Sequence, residues 1–128
     1  MPTTAKEFVA QAEAAAPSLD PGKAKEMMQG DNVLIVDVRD PHEGVEKGKL
    51  KGSLNISRGM LEFCADPATP YHKPDLHPDR TLLLYCGTGK RAVLAAKTLR
   101  DMGFDNAHAI GGFEDLVKAG CKSEPGQG

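Results

Sequence analysis

Two continuous apolar runs, at positions 33–36 and 82–85, dominate the hydrophobic pattern of this chain. A run without alternating polar residues is typical of a strand that is buried on both faces of a parallel sheet. Shorter runs at 53–56 and 107–110 predict two further strands. Segments with helical periodicity lie before, between and after these runs. This alternation of strand and helix patterns is consistent with an α/β fold.

Start and stop signals delimit the predicted helices. Residues 4–16 carry a weak apolar face, with Thr4 in the position of an N-cap. A second helix begins at Pro21, which suits the first helical position, and ends at Gly30. A short third helix is begun by Asp40. Further helical patterns cover residues 58–65, 92–102 and 113–120.

The second long apolar run ends at Cys86, and a helical pattern follows after a turn of only a few residues. In a strand–turn–helix of this kind, the first helix amides have no intrahelical acceptor, and the helix dipole is positive at that end. Gly87 and Gly89 allow a positive φ, so that successive N–H groups can point into one concavity. A thiol at that point is stabilised as its thiolate, and an anion attached to it is held by the amides. The turn therefore predicts a nucleophile.

The alternative interpretation of Cys86 is a small buried hydrophobic side chain, which is the commoner role of a cysteine after a strand. A purely structural cysteine, however, requires neither two neighbouring glycines nor two adjacent cations. We therefore take Cys86 as the candidate catalytic residue. The candidate substrate-binding residues are the five that follow it, Gly87, Thr88, Gly89, Lys90 and Arg91.

The first long apolar run also ends in polar residues, among them Asp37 and Arg39. Open α/β sheets bind ligands at the carboxyl ends of their strands, so these two residues are candidates for supporting the cysteine loop. Asp37 either orients that loop as a strand-end carboxylate, or it is a turn residue or a surface ion pair with Arg39. The sequence leaves both interpretations open.

Composition and charge exclude several classes of protein. A length of 128 residues suits one domain, and a net charge of −2 without a basic stripe argues against a nucleic-acid-binding protein. No apolar run approaches the ~20 residues that cross a bilayer, and the N-terminus has no signal-peptide pattern, so we expect no membrane association. Three widely spaced cysteines, Cys64, Cys86 and Cys121, do not resemble a disulfide framework and favour a reducing, cytoplasmic location.

The stretch from residue 66 to residue 80 has no periodicity of its own and contains several prolines. A loop of that length is often a lid or a binding loop. His72 and His77 lie in it, but neither has a partner at metal-ligand spacing, and the chain contains no C-x-x-C motif. We therefore expect no metal site.

Three separated motifs resemble those of the rhodanese sulfurtransferase family. They are C-x-x-G-x-R from Cys86 to Arg91, V-D-V-R-D-P-x-E over residues 36–43, and G-G-F-x-x-L-x-x-A-G over residues 111–120. The resemblance implies a single rhodanese-like α/β domain with a mainly parallel central sheet of about five strands flanked by helices. The predicted division is an N-terminal helical extension at 1–17, the rhodanese-like domain at 18–121 and a flexible tail at 122–128.

The resemblance also implies a sulfur-transfer cycle that needs no cofactor. The Cys86 thiolate attacks the outer sulfur of a donor such as thiosulfate, sulfite leaves, and a persulfide remains on the cysteine. Cyanide, a cellular thiol or a sulfur-accepting protein then removes that sulfur. The loop amides hold the anionic terminal sulfur, while Arg91 and Lys90 attract the oxyanion of the donor. Because both cations oppose the helix dipole, we expect a compensating anion, either the donor or the persulfide.

Two other functions remain open. Phosphatases of the same fold have a loop one residue longer, with an arginine six positions after the cysteine, whereas here that position is Ala92 and Arg91 is the fifth. Non-catalytic rhodanese-like binding or regulatory modules typically lack the cysteine or the loop cations, and this chain has both. Lys49 and Lys51 stand where members of the family commonly have His and Pro, a departure that bears on partner recognition more than on chemistry.

Overall fold

A four-stranded parallel sheet forms the centre of the computed structural model, which describes residues 2–126. The strands in chain order are β1 (Val33–Asp37), β2 (Lys49–Leu50), β3 (Leu54–Asn55), β4 (Thr81–Cys86), β5 (Ala107–Gly112) and β6 (Ser123–Glu124). The sheet has the order β3-β1-β4-β5, so the two long apolar runs lie side by side at its centre. The predicted fold class, an α/β domain with a parallel central sheet flanked by helices, is confirmed.

The first three helices begin where the sequence places capping residues. They are α1 (Ala5–Ala15), α2 (Pro21–Met27), α3 (Pro41–Lys47), α4 (Leu61–Ala65), α5 (Lys90–Asp101) and α6 (Phe113–Lys118), with a 3-10 helix at Arg58–Met60. Thr4 forms a capping box with Glu7, and Pro21 occupies the first turn of α2. The Asp40 amide donates to Glu43 Oε2 at 2.9 Å at the start of α3. These bonds satisfy N–H groups that have no intrahelical acceptor.

Alternate residues of β4 point to opposite faces of the sheet, where two separate apolar clusters cover them. Leu82, Leu84 and Cys86 lie in the cluster formed with α1 and α5, whereas Leu83 and Tyr85 lie in the cluster formed with α2 and α6. All five side chains are fully buried. The apolar run is continuous because helices cover both faces of this central strand.

The first helix belongs to the same core as the sheet. Ala12 and Ala16 at its C-terminal end are fully buried, and α1 packs against α5. Small side chains at these positions let the two helices approach closely. The predicted division between residues 1–17 and the rest of the chain stays a prediction, although the packing joins α1 to the main core.

Two details of the fold differ from the expectations. The parallel sheet has four strands rather than about five, because β2 and β6 form a separate antiparallel ribbon. One strand of this ribbon, β6, lies within the predicted flexible tail at 122–128, and the Lys51 amide donates to the Lys122 carbonyl at 2.9 Å just beside it. The short strand β2 needs partners for its backbone groups, and the end of the chain supplies them. Residues 127–128 of that tail lie outside the described residues.

A buried ion pair between Asp37 and Arg39 joins β1 to the segments that pack beside it. Arg39 Nε and Nη2 donate to the two carboxylate oxygens of Asp37 at 2.9 and 2.8 Å, and Nη2 also donates to the Gly48 carbonyl at 2.8 Å. The guanidinium carbon lies 4.8 Å from the centre of the Phe113 ring and 5.4 Å from that of Tyr85. Burial disfavours the charged guanidinium, but the adjacent Asp37 carboxylate outweighs it and the pKa of Arg39 is raised.

Tyr85 extends this buried network to the ribbon. Its hydroxyl donates to Asp37 Oδ2 at 3.1 Å and accepts from the Leu50 amide at 3.0 Å. Burial raises the pKa of Tyr85, so the phenol remains a donor. Asp37 does pair with Arg39, as one of the two interpretations proposed, but the pair is buried rather than on the surface. Within the described residues, no hydrogen bond joins either side chain to the cysteine loop.

Replacing Asp37 by Asn should lower the free energy of unfolding by about 3–5 kcal/mol, because the buried Arg39 charge would lose its counter-ion. The matched control is Asp101→Asn, which removes the exposed partner of Lys97 on α5. That exposed pair contributes about 1 kcal/mol or less. Urea denaturation of the two variants measures the difference. Equal losses of unfolding free energy in the two variants would show that the buried ion pair contributes no more to stability than an exposed pair does.

Candidate active site

Cys86 is the last residue of β4, and α5 begins after a turn of three residues. The Gly89 amide donates a hydrogen bond to the Cys86 sulfur, with an N–Sγ distance of 3.0 Å. Gly89 has a φ of +104°, a left-handed conformation that glycine adopts without strain. The helical hydrogen bonds of α5 begin with the Val93 amide, which donates to the Gly89 carbonyl at 3.0 Å. The thiol therefore lies at a helix N-terminus with an N–H directed at its sulfur.

The structure brings the predicted loop residues together around this thiol, at different depths. Thr88 and Lys90 are exposed, whereas Gly89 is buried. The Cys86 side chain is fully buried and belongs to the apolar cluster on the α5 side of the sheet. The exposed side chains mark the side from which a ligand would approach.

Arg91 forms a two-pronged ion pair with Glu43 of α3. Its Nη1 donates to Glu43 Oε2 at 2.8 Å, and its Nη2 donates to Oε1 at 2.9 Å. Glu43 therefore supplies a negative charge beside Arg91, so this cation has a counter-ion in the fold without a donor or a persulfide. A substrate-binding role for Arg91 stays a prediction. Within residues 2–126, Lys90 pairs with no carboxylate. Lys90 is thus the unpaired cation of the loop.

The ion pair shifts the pKa of both partners. The hydrogen bonds from Arg91 lower the pKa of Glu43 from an ordinary value of 4.5 to about 2, although burial opposes this shift. The same hydrogen bonds raise the pKa of Arg91. Because Glu43 also accepts from the Asp40 amide, its carboxylate is fixed to the first turn of α3. The pair therefore fastens the first turn of α5 to the first turn of α3 across the cysteine loop.

Glycines at the end of β5 support the cysteine loop from the other side. A Cβ built on Gly112 would lie only 2.5 Å from the Gly87 carbonyl oxygen, and one on Gly89 would lie 3.4 Å from Gly111 Cα. The loop and the strand are thus packed backbone against backbone, which glycine allows. Gly87 does not have the positive φ expected for it. Its lack of a side chain instead leaves room for Arg91, whose Nη2 would lie 3.3 Å from a Cβ there.

The predicted supporting residues Asp37 and Arg39 lie beneath α3. A Cβ on Gly44 would lie 3.7 Å from Arg39 Nη2 and 4.0 Å from Asp37 Oδ2, so one side of α3 rests on the buried ion pair. From the same helix, Glu43 reaches Arg91. The two ion pairs are thus neighbours through one short helix, and Asp37 and Arg39 contribute to the position of the helix rather than to contact with a substrate.

Two residues of this site, Glu43 and Gly112, are not singled out by the sequence pattern. Glu43 closes the V-D-V-R-D-P-x-E motif and lies at the capping-box distance from Asp40, which is the only local signal for it. Gly112 belongs to the pair of glycines that opens the last motif. Their partners in the loop are far away in the sequence, 48 positions in the case of Glu43 and Arg91, so only the fold reveals the contacts.

The other two thiols have different surroundings. Cys64 lies inside α4 and Cys121 follows α6, and both are free and buried. Burial raises the pKa of Cys121. Between residues 2 and 126, no cluster of three or more His, Cys, Asp or Glu side chains could hold a metal ion. In the same part of the chain, every helix is too short or too polar to cross a bilayer.

The fold and the loop together define a class of protein, an α/β domain in which a central strand delivers a cysteine to a glycine-rich turn at a helix N-terminus. The sequence model of the rhodanese-like domain matches residues 20–119. The chain belongs to the rhodanese-like domain family. Sulfurtransferase activity is the general activity that this family supports.

Two curated proteins are related to the chain over part of their length. It is 27% identical over 99 residues to thiosulfate sulfurtransferase/rhodanese-like domain-containing protein 3 of Mus musculus, a match covering 73% of this chain and 63% of that protein. It is 32% identical over 81 residues to the uncharacterized protein YqhL of Bacillus subtilis, covering 62% and 57% respectively. The chain therefore spans less than two thirds of the length of either relative.

Solved structures match over more of the chain. A Rhodopseudomonas palustris protein of unknown function, described as a possible tyrosine phosphatase, is 40% identical with a TM-score of 0.87 and coverage of 97% of this chain and 99% of that one. The polysulfide-sulfur transferase homodimer of Wolinella succinogenes is 32% identical, with a TM-score of 0.73 and coverage of 93% and 85%. A human single-domain sulfurtransferase is 25% identical, with a TM-score of 0.67 and coverage of 80% and 96%.

Gly112→Ala should destabilise the cysteine loop, because the new methyl group would overlap the Gly87 carbonyl, which is backbone and cannot rotate away. Overpacking of this kind costs about 1–3 kcal/mol. The control is Gly59→Ala, where a Cβ would meet nothing within 4 Å. Thermal unfolding measures the loss of stability in each variant. Hydrogen exchange of the Gly89 amide measures how far the cysteine loop is destabilised. If both variants behave alike, the loop is not packed against the end of β5.

Glu43→Gln should change how stability depends on pH. The folded-state pKa of Glu43 is lowered to about 2 from 4.5, so its ion pair stabilises the fold above pH 4.5 and is lost as the pH falls towards 2. At pH 7 the variant should be less stable by about 1–2 kcal/mol, after allowance for solvent screening at the partly exposed Arg91. The difference in the free energy of unfolding between the variant and the wild type should disappear as the pH falls from 4.5 to 2.

Denaturant titrations at several pH values measure this difference in the free energy of unfolding. The control is Glu62→Gln, which removes the partner of Arg58 in an exposed helix pair and should cost about 0.5 kcal/mol or less. If the loss of unfolding free energy in Glu43→Gln stays constant down to pH 2, the charge of the Glu43 carboxylate is not what stabilises the fold.

Proposed function

We propose that the protein is a sulfurtransferase that moves a sulfane sulfur from an anionic donor, such as thiosulfate, to a thiophilic acceptor through a persulfide on Cys86. The observation that carries the proposal is the hydrogen bond from Gly89 N–H to Cys86 Sγ at 3.0 Å, at the start of α5. An N–H donor and a helix N-terminus both stabilise negative charge on the sulfur during the reaction. Membership in the rhodanese-like domain family supports the same activity.

The proposed cycle has two displacement steps. In the first, the Cys86 thiolate attacks the outer sulfur of thiosulfate, the sulfur–sulfur bond of the donor breaks, and sulfite leaves with its electron pair. In the second, cyanide or a thiolate attacks the outer sulfur of the persulfide and releases the Cys86 thiolate. With cyanide the product is thiocyanate. Each step moves one neutral sulfur atom from one nucleophile to another, so no external oxidant, reductant or cofactor is required.

The loop amides and the cations have separate roles in this cycle. The amides at the start of α5 have no intrahelical acceptor and can stabilise negative charge on the outer sulfur. Lys90 is exposed and unpaired within the described residues, so it attracts the donor oxyanion. Arg91 is held by Glu43 and positions the loop instead of binding the donor. The buried sulfur requires the loop to open, which favours small donors over large ones.

The donor and the acceptor belong to chemical classes that the loop can accommodate. Besides thiosulfate, a polysulfide is a suitable donor, because the Wolinella succinogenes neighbour is a polysulfide-sulfur transferase. The acceptor is cyanide, a cellular thiol or a sulfur-accepting protein. The three cysteines form no disulfide among the described residues, which favours reducing surroundings, so we propose a cytoplasmic location.

A phosphatase is the second candidate, because the Rhodopseudomonas palustris neighbour is described as a possible tyrosine phosphatase. Phosphoryl chemistry at a cysteine needs an arginine free to clamp the phosphate oxygens. Here both terminal nitrogens of Arg91 are bound to Glu43. The shorter loop also suits a single sulfur atom better than a phosphate group. A non-catalytic module has less support, since Cys86 and both loop cations are present.

Cys86→Ser should abolish thiosulfate:cyanide sulfurtransferase activity, while Cys64→Ser and Cys121→Ser should retain it, because only Cys86 has an N–H donor at a helix N-terminus. Thiocyanate formation measures turnover. Incubation with thiosulfate, followed by intact-mass analysis, should show a gain of one sulfur atom that is absent only in Cys86→Ser. Loss of activity in Cys64→Ser would instead assign that thiol a part in the cycle.

The same three variants test the phosphatase alternative. An aryl phosphate is supplied in place of thiosulfate, and release of the phenol is measured. Hydrolysis that depends on Cys86, with no sulfur gain from either thiosulfate or polysulfide, would replace the sulfurtransferase proposal by a phosphatase. Neither activity in a folded wild-type protein would favour the binding module.

A further inference from the structure

A cavity of about 250 Å³ lies on the face of the sheet opposite the Cys86 side chain. Three lysines line it, Lys25 of α2 and Lys51 and Lys122 at the edge of the β2–β6 ribbon. Its apolar lining is contributed by Met28, Ile35 and Leu50. The thiol-bearing residue Cys121 also borders the cavity. Nothing in the proposed sulfur transfer uses this cavity.

The three lysines lack counter-ions within the described residues. No Asp or Glu lines the cavity, and none of the three forms an ion pair between residues 2 and 126. The chain as a whole has a net charge of −2, so a general excess of lysine does not explain the cluster. Three cations around one small cavity raise its electrostatic potential and favour an anionic occupant.

The ribbon forces two of these cations together. Leu50 pairs with Ser123 in the antiparallel register, so Lys51 and Lys122 are the next residues opposite each other, and the Lys51 amide donates to the Lys122 carbonyl at 2.9 Å. Like charges directly opposite in an antiparallel pair destabilise it. A bound anion would remove this repulsion, and the fold supplies no internal one among the described residues.

The third cation lies against the wall of the cavity. Gly120 has a φ of +101°, and a Cβ built on it would lie 2.6 Å from Lys25 Nζ. The ammonium group of the exposed Lys25 side chain therefore lies against the backbone next to Cys121, at the border of the cavity.

We propose that this lysine cavity binds a compact organic molecule carrying at least two negative charges. The three lysines would hold its anionic groups, and the apolar lining would contact its carbon skeleton. The volume of about 250 Å³ lies below the range of roughly 300–1,000 Å³ of pockets for drug-sized ligands, which limits the occupant to a small metabolite. The site is separate from the cysteine loop, and the proposal does not depend on sulfur transfer.

Citrate is a suitable probe, because it combines three carboxylates with a short carbon skeleton. Isothermal titration of the full chain at low ionic strength should show saturable binding of citrate, and acetate at matched ionic strength should show none. Lys51→Gln and Lys122→Gln should each weaken citrate binding at least tenfold. The control Lys97→Gln, which removes a lysine already paired with Asp101, should leave it unchanged.

A chemical readout locates the binding. In a Cys86→Ser background, citrate should slow alkylation of Cys121 by N-ethylmaleimide and leave the rate at Cys64 unchanged, because only Cys121 borders the lysine cavity. Peptide mapping separates the two thiols. Failure of citrate to bind the wild type, or equal affinity in Lys51→Gln, Lys122→Gln and Lys97→Gln, would overturn the proposal. Protection of both thiols alike would also overturn it, since binding would then not be at this cavity.

Discussion

The ion pair between Glu43 and Arg91 is the contact on which the geometry of the candidate site depends. β1 and β4 are neighbours in the sheet, so the helices that follow them, α3 and α5, begin at the same edge. An acidic residue in the first turn of a helix is favoured by the dipole, whereas a basic one is not. Glu43 occupies the favourable position on α3 and holds Arg91 in the unfavourable one on α5. The cysteine loop therefore lies between the N-termini of α3 and α5, which this ion pair holds together.

The strand that delivers the nucleophile also builds the core. Because side chains alternate along β4, Tyr85 and Cys86 are adjacent in sequence but face opposite sides of the sheet. Tyr85 enters the buried network of Asp37 and Arg39, and this network supports α3 from beneath. Cys86 faces α5 and receives the Gly89 N–H. Two consecutive residues thus serve structure and chemistry, and each position depends on the register of the same central strand.

Local patterns account for what could be predicted from the sequence. The two apolar runs, the caps at Thr4 and Asp40 and the cysteine turn each involve residues within a few positions of one another, and all are found in the structure. The partner of Arg91 and the contact between Gly112 and the loop could not be predicted in the same way. Both depend on which strands are neighbours in the sheet, and a single sequence does not state that order. The strand at Ser123–Glu124 was missed for the same reason, since its pattern is too short to signal a strand without its partner.

One physical criterion, whether a charge has a counter-ion in the fold, separates the roles of the cations in this protein. Arg91 lies where the helix dipole opposes a positive charge, and Glu43 compensates it, so it needs no ligand to explain its position. Lys90, one residue earlier, has no such partner among the described residues and stands exposed beside the thiol. Lys51 and Lys122 lie opposite each other directly beyond the paired residues of the ribbon, and no carboxylate among the described residues lines their cavity. Because uncompensated cations at a concave surface lower their free energy by binding anions, we propose ligands for Lys90, Lys51 and Lys122, whereas Arg91 has a counter-ion in the fold.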